Sequence, residues 1–186
     1  MTLSLTAGQA VIAPIAVFIW QAIGATRAFR QVKGEPGSAL ASLISLGFIA
    51  LVANSGAESV NIGVFAVACV GLTMALLLFE WARRTVQGRF FSWIFSTDTP
   101  TFLCTSGPFA YVRNPFYTSY LLTMAATVIL QPRVFRVAVF LGMVVYFTAA
   151  AWHEERKFAR SAVATDYAHY KERTGRFLPK LSAMMR

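Results

Sequence analysis

The chain has 186 residues, of which 56 % are hydrophobic and only 13 % charged, a balance that excludes an ordinary soluble domain and fits an integral membrane protein. The net charge is +9, yet no soluble nucleic-acid motif accompanies it, so nucleic acid is not an expected partner. Cys69 lies in an apolar run and Cys104 in a polar one, which predicts neither a disulfide nor a zinc site.

In chain order, the first apolar run covers residues 6–28, long enough to cross the hydrocarbon core, with Pro14 placed to kink it. No basic residue precedes it and no cleavage pattern follows, so it reads as a retained span rather than a signal peptide. Arg27, Arg30 and Lys33 close it, and Gly34, Pro36 and Gly37 mark a loop. A short second span, residues 38–53, is rich in small residues suited to close helix packing. A polar turn over 54–59 leads to a third span, 60–81, whose Gly63, Ala66, Gly71 and Ala75 predict a small-residue face. Glu80, Trp81, Arg83 and Arg84 form an interfacial anchor at its end.

Residues 85–114 make a long polar connection in which Phe90, Phe91, Trp93 and Phe95 suit the headgroup layer. The fourth span, 116–131, reaches only about 24 Å against a core of roughly 30 Å. Pro132 and Arg133 turn the chain into a fifth span, 134–152, completing an antiparallel hairpin. The tail, 153–186, is charged and expected to be mostly helical to Glu172, stopping at Gly175 and Pro179. Three spans (1–84) thus precede a catalytic region (85–186) made of loop, hairpin 116–152 and tail. Alternating the spans collects the basic residues on one side, with only Arg133 and Arg136 opposite, Arg136 read as snorkelling outward. The excess of positive charge on the inside then places the N-terminus outside and the tail in the cytoplasm, of a bacterial inner membrane or the endoplasmic reticulum. Much of the net charge is orientation and contact with membrane lipids.

The segment that organises the rest is 106–117, SGPFAYVRNPFY. Pro115 lacks a backbone donor and suits a helix's first turn, and Asn114 before it is a favourable N-cap. First-turn N–H groups and the positive dipole end attract an anion, and Arg113 adds charge beside them. Read alone, the same residues are equally a capped helix start with a snorkelling arginine. Residues 153–157, His-Glu-Glu-Arg-Lys, begin like a zinc-protease motif, but Lys157 stands where the second imidazole is needed, so no metal is expected. Taken alone, Glu154 and Glu155 suit a solvated helix face with Glu154 paired to Lys157.

In combination these pieces resemble a known family. The stretch 101–117, then Glu154-Glu155-x-x-Phe158, Asp166-Tyr167-x-x-Tyr170 and the run from Thr174 to Pro179 resemble the isoprenylcysteine carboxyl methyltransferases, and more widely the phospholipid N-methyltransferases. The resemblance covers about residues 88–180. It implies an all-α integral membrane protein of five transmembrane helices, with a cytoplasmic helical tail closing a pocket for S-adenosyl-L-methionine. It implies that Thr101, Phe102, Leu103 and Cys104 line the adenosine side, with Phe109 where the family carries Tyr. Asn114, Pro115, Phe116 and Tyr117 would hold the amino-acid end, and Glu154 would hydrogen-bond the cofactor. Arg113, Tyr117, Glu154 and Glu155 are the expected catalytic residues. The acceptor is expected to be a lipid-like or prenylated molecule arriving from the bilayer. Asn114 stands in place of the family's usual His, and Ala150 in place of a substrate-binding Arg.

The sequence is open to two other readings. An NADPH-dependent membrane reductase of related fold would carry an Asn and a Glu near residues 116–119, and neither is present. A non-catalytic membrane protein retaining the fold is compatible with the departures at Thr101, Asn114 and Ala150. The five-span topology is tested by labelling single cysteines placed near each terminus in intact cells or vesicles: the tail is expected to react only from the cytoplasmic side, and a tail reached only from outside excludes it.

Overall fold

A computed structural model describes residues 4–30, 45, 48, 52, 58–87, 91–92 and 100–180. At one end of the molecule Ser4–Thr6 (β1) pairs antiparallel with Ser59–Asn61 (β3), with Leu5 opposite Val60. Thr6 caps Ala7–Ala10 (α1) in a reciprocal capping box with Gln9. The helix then breaks at Val11 before Ile12–Ala28 (α2). The break has a chemical cause: Pro14 has no N–H for the Ala10 carbonyl, and its ring crowds that carbonyl. Phe29–Arg30 (β2) pairs in parallel with Phe91–Ser92 (β4). These two short pairings are the departure from an all-α expectation.

Of the expected second span, Ser45, Phe48 and Val52 are described and each is helical. Phe48 and Val52 are buried, with the Phe48 ring 4.6 Å from that of Phe18. The rest of that span, the loop before it and most of the aromatic connection lie outside the described residues.

Asn61 accepts a hydrogen bond from the Gly63 N–H at 2.7 Å and opens Ile62–Thr85 (α3). This helix ends four residues later than expected. Its buried face also differs from the small-residue stripe read from sequence, because Gly63 and Ala66 are exposed. The face runs instead through Ala68, Leu72, Ala75, Phe79 and Ala82. That seven-residue repeat of small and large side chains packs along Pro115–Leu130 (α4), the helix α3 touches most. Val134–Phe158 (α5) returns from α4 after a turn in which Arg133 pairs with Glu58 at 3.2 Å. Arg136 is buried at 3 % exposure, so it does not snorkel outward. Among the described residues, three helical stretches, Ala7–Arg27, Ile62–Thr85 and Val134–Phe158, are long and apolar enough to cross a membrane; α4 is shorter. The described residues close with Ala164–Arg173 (α6) and a strap over 174–180.

The short helix α4 lies at the centre. Phe116 belongs to one apolar cluster, Ala126 and Leu130 to a second, and Tyr117 and Met124 to a third. A helix buried on most sides can be rich in Ser and Thr if each hydroxyl finds an acceptor. Here Ser119 donates to the Phe116 carbonyl, Thr123 to Ser119 and Thr127 to Thr123, at 2.7–3.1 Å. Gln21, fully buried on α2, joins this ladder: its Nε2 donates to the Ser119 carbonyl at 3.4 Å, and its Oε1, 3.2 Å from Thr123 Oγ1, shares that hydroxyl's one proton with the Ser119 carbonyl. Interhelical bonds of this kind in a membrane contribute about 0.6–2 kcal/mol. Gln21→Leu is therefore expected to lower stability by about 1 kcal/mol, read as an earlier unfolding midpoint in detergent, while the apolar neighbours Val17→Leu and Ile19→Leu are expected to shift it less.

Candidate functional site

The site is assembled where three parts of the chain meet at the end of the bundle opposite β1. Gly107, at φ 58°, starts a 3-10 turn over Gly107–Ala110, a conformation that a side chain would strain. The turn buries Phe109 in the cluster that also holds Phe79, Cys104 and Phe116. Beyond it the backbone of 111–114 is held by the C-terminal strap. Gly175 N–H donates to the Tyr111 carbonyl at 3.2 Å, Arg113 N–H to Gly175 at 2.8 Å and Asn114 N–H to Arg176 at 3.2 Å. Thr118 Oγ1 adds a bond to the Phe177 carbonyl at 3.0 Å. Gly175 is required there, since a Cβ would collide with the Leu178 carbonyl.

The helix starts at Pro115, as its chemistry dictates, but Asn114 is not the expected side-chain cap. Its Nδ2 donates to the Arg176 carbonyl at 3.2 Å, so the strap has taken the amide that would otherwise cap α4. Arg113 differs from expectation as well. Its guanidinium lies on Glu155 Oε1 (Nε 3.3 Å, Nη2 3.1 Å) and donates through Nη1 to the carbonyls of Lys171 and Thr174. Only 8 % of that side chain is exposed, so Arg113 acts as a strut between elements and its charge is already matched.

The two adjacent glutamates have separate surroundings. Successive residues on a helix point about 100° apart. Glu155, 6 % exposed, faces the cations: besides Arg113 it takes a forked pair from Arg176, Nε to Oε1 at 2.9 Å and Nη2 to Oε2 at 3.0 Å, and lies 3.5 Å from Lys171 Nζ. These hydrogen bonds and the carboxylate charge hold the Arg176 guanidinium above the usual arginine range. Glu154 faces the other way and accepts a hydrogen bond from the Tyr117 phenol at 2.5 Å. The Tyr117 ring is fixed in turn by stacking on Phe147, 4.9 Å between centroids.

Helix α6 forms the last wall. Its only buried residues are Tyr167 and Tyr170, one helical turn apart. Tyr167 stacks on Phe158 at 4.8 Å, and the Tyr170 phenol donates to the Phe109 carbonyl at 2.7 Å. Burial pushes both phenols up, which keeps Tyr170 a donor throughout the physiological range.

Together these elements enclose a cleft of about 80 Å³. Of the residues singled out from sequence, Leu103, Cys104, Phe109, Arg113, Asn114, Pro115, Phe116, Tyr117, Glu154 and Glu155 line it. Thr101 and Phe102 do not, although Phe102 packs against the Phe109 cluster from outside. Four further residues line the cleft, Ala151, Phe158, Tyr167 and Tyr170. The two tyrosines carried a sequence signal in their spacing, whereas Ala151 carried none. The arrangement provides a half-buried carboxylate with a fixed phenol beside it, aromatic and apolar walls, and a second carboxylate fully occupied by cations. Such a site suits a cationic group with an aromatic or apolar body.

A family model described as phospholipid methyltransferase matches residues 62–161, which span α3, the loop, the hairpin and the glutamate pair. No curated protein and no solved structure matches the chain.

The two glutamates are expected to separate on mutation. Glu155→Gln leaves buried Arg113 uncompensated and is expected to cost about 3 kcal/mol of stability. Glu154→Gln keeps an acceptor for Tyr117 and is expected to cost under about 1 kcal/mol. Detergent unfolding curves of the two variants check this; equal losses would contradict the assignment.

Proposed function

The chain belongs to the phospholipid methyltransferase family, and on that premise we propose that it transfers a methyl group from S-adenosyl-L-methionine to an amphiphilic acceptor held in the membrane. Membership itself implies methyl transfer at a membrane. The observation that carries the finer reading is the Tyr117–Glu154 pair, because Tyr117 both lines the cleft and belongs to the apolar cluster with Met124, Met143 and Phe147. One residue therefore borders the cleft on one side and the apolar core of the bundle on the other.

The residues present fit the cofactor's chemistry. Its sulfonium and ammonium suit Glu154 and the faces of Tyr117, Phe158 and Tyr167. Its adenine suits the apolar wall of Leu103, Cys104 and Phe109, and its carboxylate suits the first turn of α4. Bound there, S-adenosyl-L-methionine supplies an activated methyl: an acceptor lone pair forms the new bond to carbon as the carbon–sulfur pair leaves on sulfur. The protein's share is positioning and exclusion of water. Glu155 keeps Arg113 and Arg176 occupied, so neither competes for an anionic acceptor. An acceptor that carries N–H or O–H gives its proton to Glu154; a carboxylate acceptor has none to give. Prenylated carboxylates, phospholipid amines and isoprenoid-like lipids all remain within this class.

The reading extends to location. We take the protein to be multi-pass, with its second span in residues 38–53, its N-terminus outside and the cleft opening to the cytoplasm.

Calorimetric titration of the detergent-purified chain tests the assignment. S-adenosylmethionine and S-adenosylhomocysteine are expected to bind and NADPH is not. Glu154→Gln and Tyr117→Phe are each expected to weaken binding about tenfold, the loss of one hydrogen bond involving a charged group. NADPH binding in place of the other two would move the assignment to a reductase, and no binding by any would leave a fold without the chemistry.

A further inference from the structure

The cleft is smaller than its proposed occupant. Sites for ligands of this size occupy roughly 300–1,000 Å³, whereas the cleft holds about 80 Å³. A cofactor held wholly within it needs one wall to move; the open groove that meets the cleft at Leu103 and Tyr170 holds about 720 Å³ and lies on the other side of α6. The walls supplied by α4 and α5 belong to the packed bundle. Helix α6 buries only two side chains and packs lightly on the other helices.

Besides the Tyr167–Phe158 stack and the Tyr170–Phe109 bond, what holds α6 down is polar and gathered at its C-terminal end. Lys171 reaches Glu155. Lys180 Nζ donates to the carbonyls of Lys171 and Glu172 at 2.9 Å, which ties the strap to the helix. Arg176 is the joint between strap and bundle: its guanidinium forks onto both oxygens of Glu155, and its carbonyl accepts from Asn114 N–H and Nδ2, directly before the start of α4.

The charges around Glu155 are unequal in a way that suits release. One buried carboxylate is matched by three cations, where one suffices. Arg113 is 8 % exposed, while Arg176 is 33 % and Lys171 53 % exposed. The two outer cations can pass into water while Arg113 stays and keeps Glu155 from becoming a bare buried charge, the outcome that makes broken buried pairs costly. Arg113 also donates to the carbonyls of Lys171 and Thr174, bonds that have to break when α6 leaves.

Resting on the methyl-transfer reading, we propose that Arg176 is a positioning residue of the cofactor cleft: clamped on Glu155, it holds α6 shut over the cleft, and its release admits and discharges the cofactor. Arg176 touches no reacting atom in this scheme. It sets how long α6 stays closed.

Hydrogen exchange of the α6 amides in the full chain, reconstituted in nanodiscs without ligand, is the first arm of the test. Arg176→Ala is expected to speed α6 exchange by about tenfold, and Arg176→Lys, which keeps the charge but loses the fork, by less. Unchanged α6 exchange overturns the proposal, and so does an equal rise in α3, which would mean general loosening. The second arm uses S-adenosylhomocysteine, whose dissociation is expected to be about tenfold faster from Arg176→Ala and closer to the unsubstituted rate from Arg176→Lys. An unchanged rate overturns the clasp. If the unsubstituted chain binds no S-adenosylhomocysteine, the methyl-transfer reading falls together with the cofactor's part in the proposal, and the first arm still decides whether Arg176 holds α6.

Discussion

A single buried carboxylate sets the geometry of the functional end of this molecule. Glu155 could not sit at 6 % exposure without cations around it, and the chain supplies them from three directions: the loop through Arg113, helix α6 through Lys171 and the strap through Arg176. Each of those segments is short and would be poorly fixed alone. Converging on one charge, they fix one another. The neighbouring Glu154 is thereby the carboxylate left to the cleft, with the Tyr117 phenol as its partner.

The second constraint is the burial of α4. Most of its positions touch protein, so its residues answer to packing and hydrogen bonding more than to lipid. The Ser119–Thr123–Thr127 ladder lets a polar sequence occupy that place, and Gln21 fixes it against α2. Because α4 begins at Pro115, three residues from Thr118 and two from Tyr117, the helix that centres the bundle also aims the functional phenol.

Much of this was legible in the sequence, and the exceptions have physical reasons. The helix start at Pro115 follows from a residue that lacks a donor. The return of the tail over 106–117 was anticipated from its charge and its resemblance to a known family. The pairing of Arg113 with Glu155 was not legible, since it joins residues 42 apart and nothing local announces it. Nor was the role of Asn114: local propensity makes it a cap, and a strap 62 residues later claims its amide. Adjacent glutamates are indistinguishable on a line and face apart on a helix. Gly63 and Ala66 suggested the wrong stripe because small residues also occur on exposed faces, and only the partner helix selects the repeat that is buried.

The length of α4 has a consequence at the scale of the bilayer. Its 16 residues end level with the start of α5, which runs back for 25, so α5 outruns it by about 13 Å. The overhang is the polar end of α5, which carries Glu154 and Glu155 to the cleft. The loop over 111–114 and the strap cover the start of α4, and Tyr117 lies just inside them, at the cleft. In the methyl-transfer reading, the headgroup of a lipid acceptor reaches this cleft from the bilayer at close to its own depth. Every methylene that stays in the hydrocarbon layer avoids about 0.8 kcal/mol of exposure to water. A water-soluble donor and a membrane-bound acceptor can therefore meet without either one leaving its own phase.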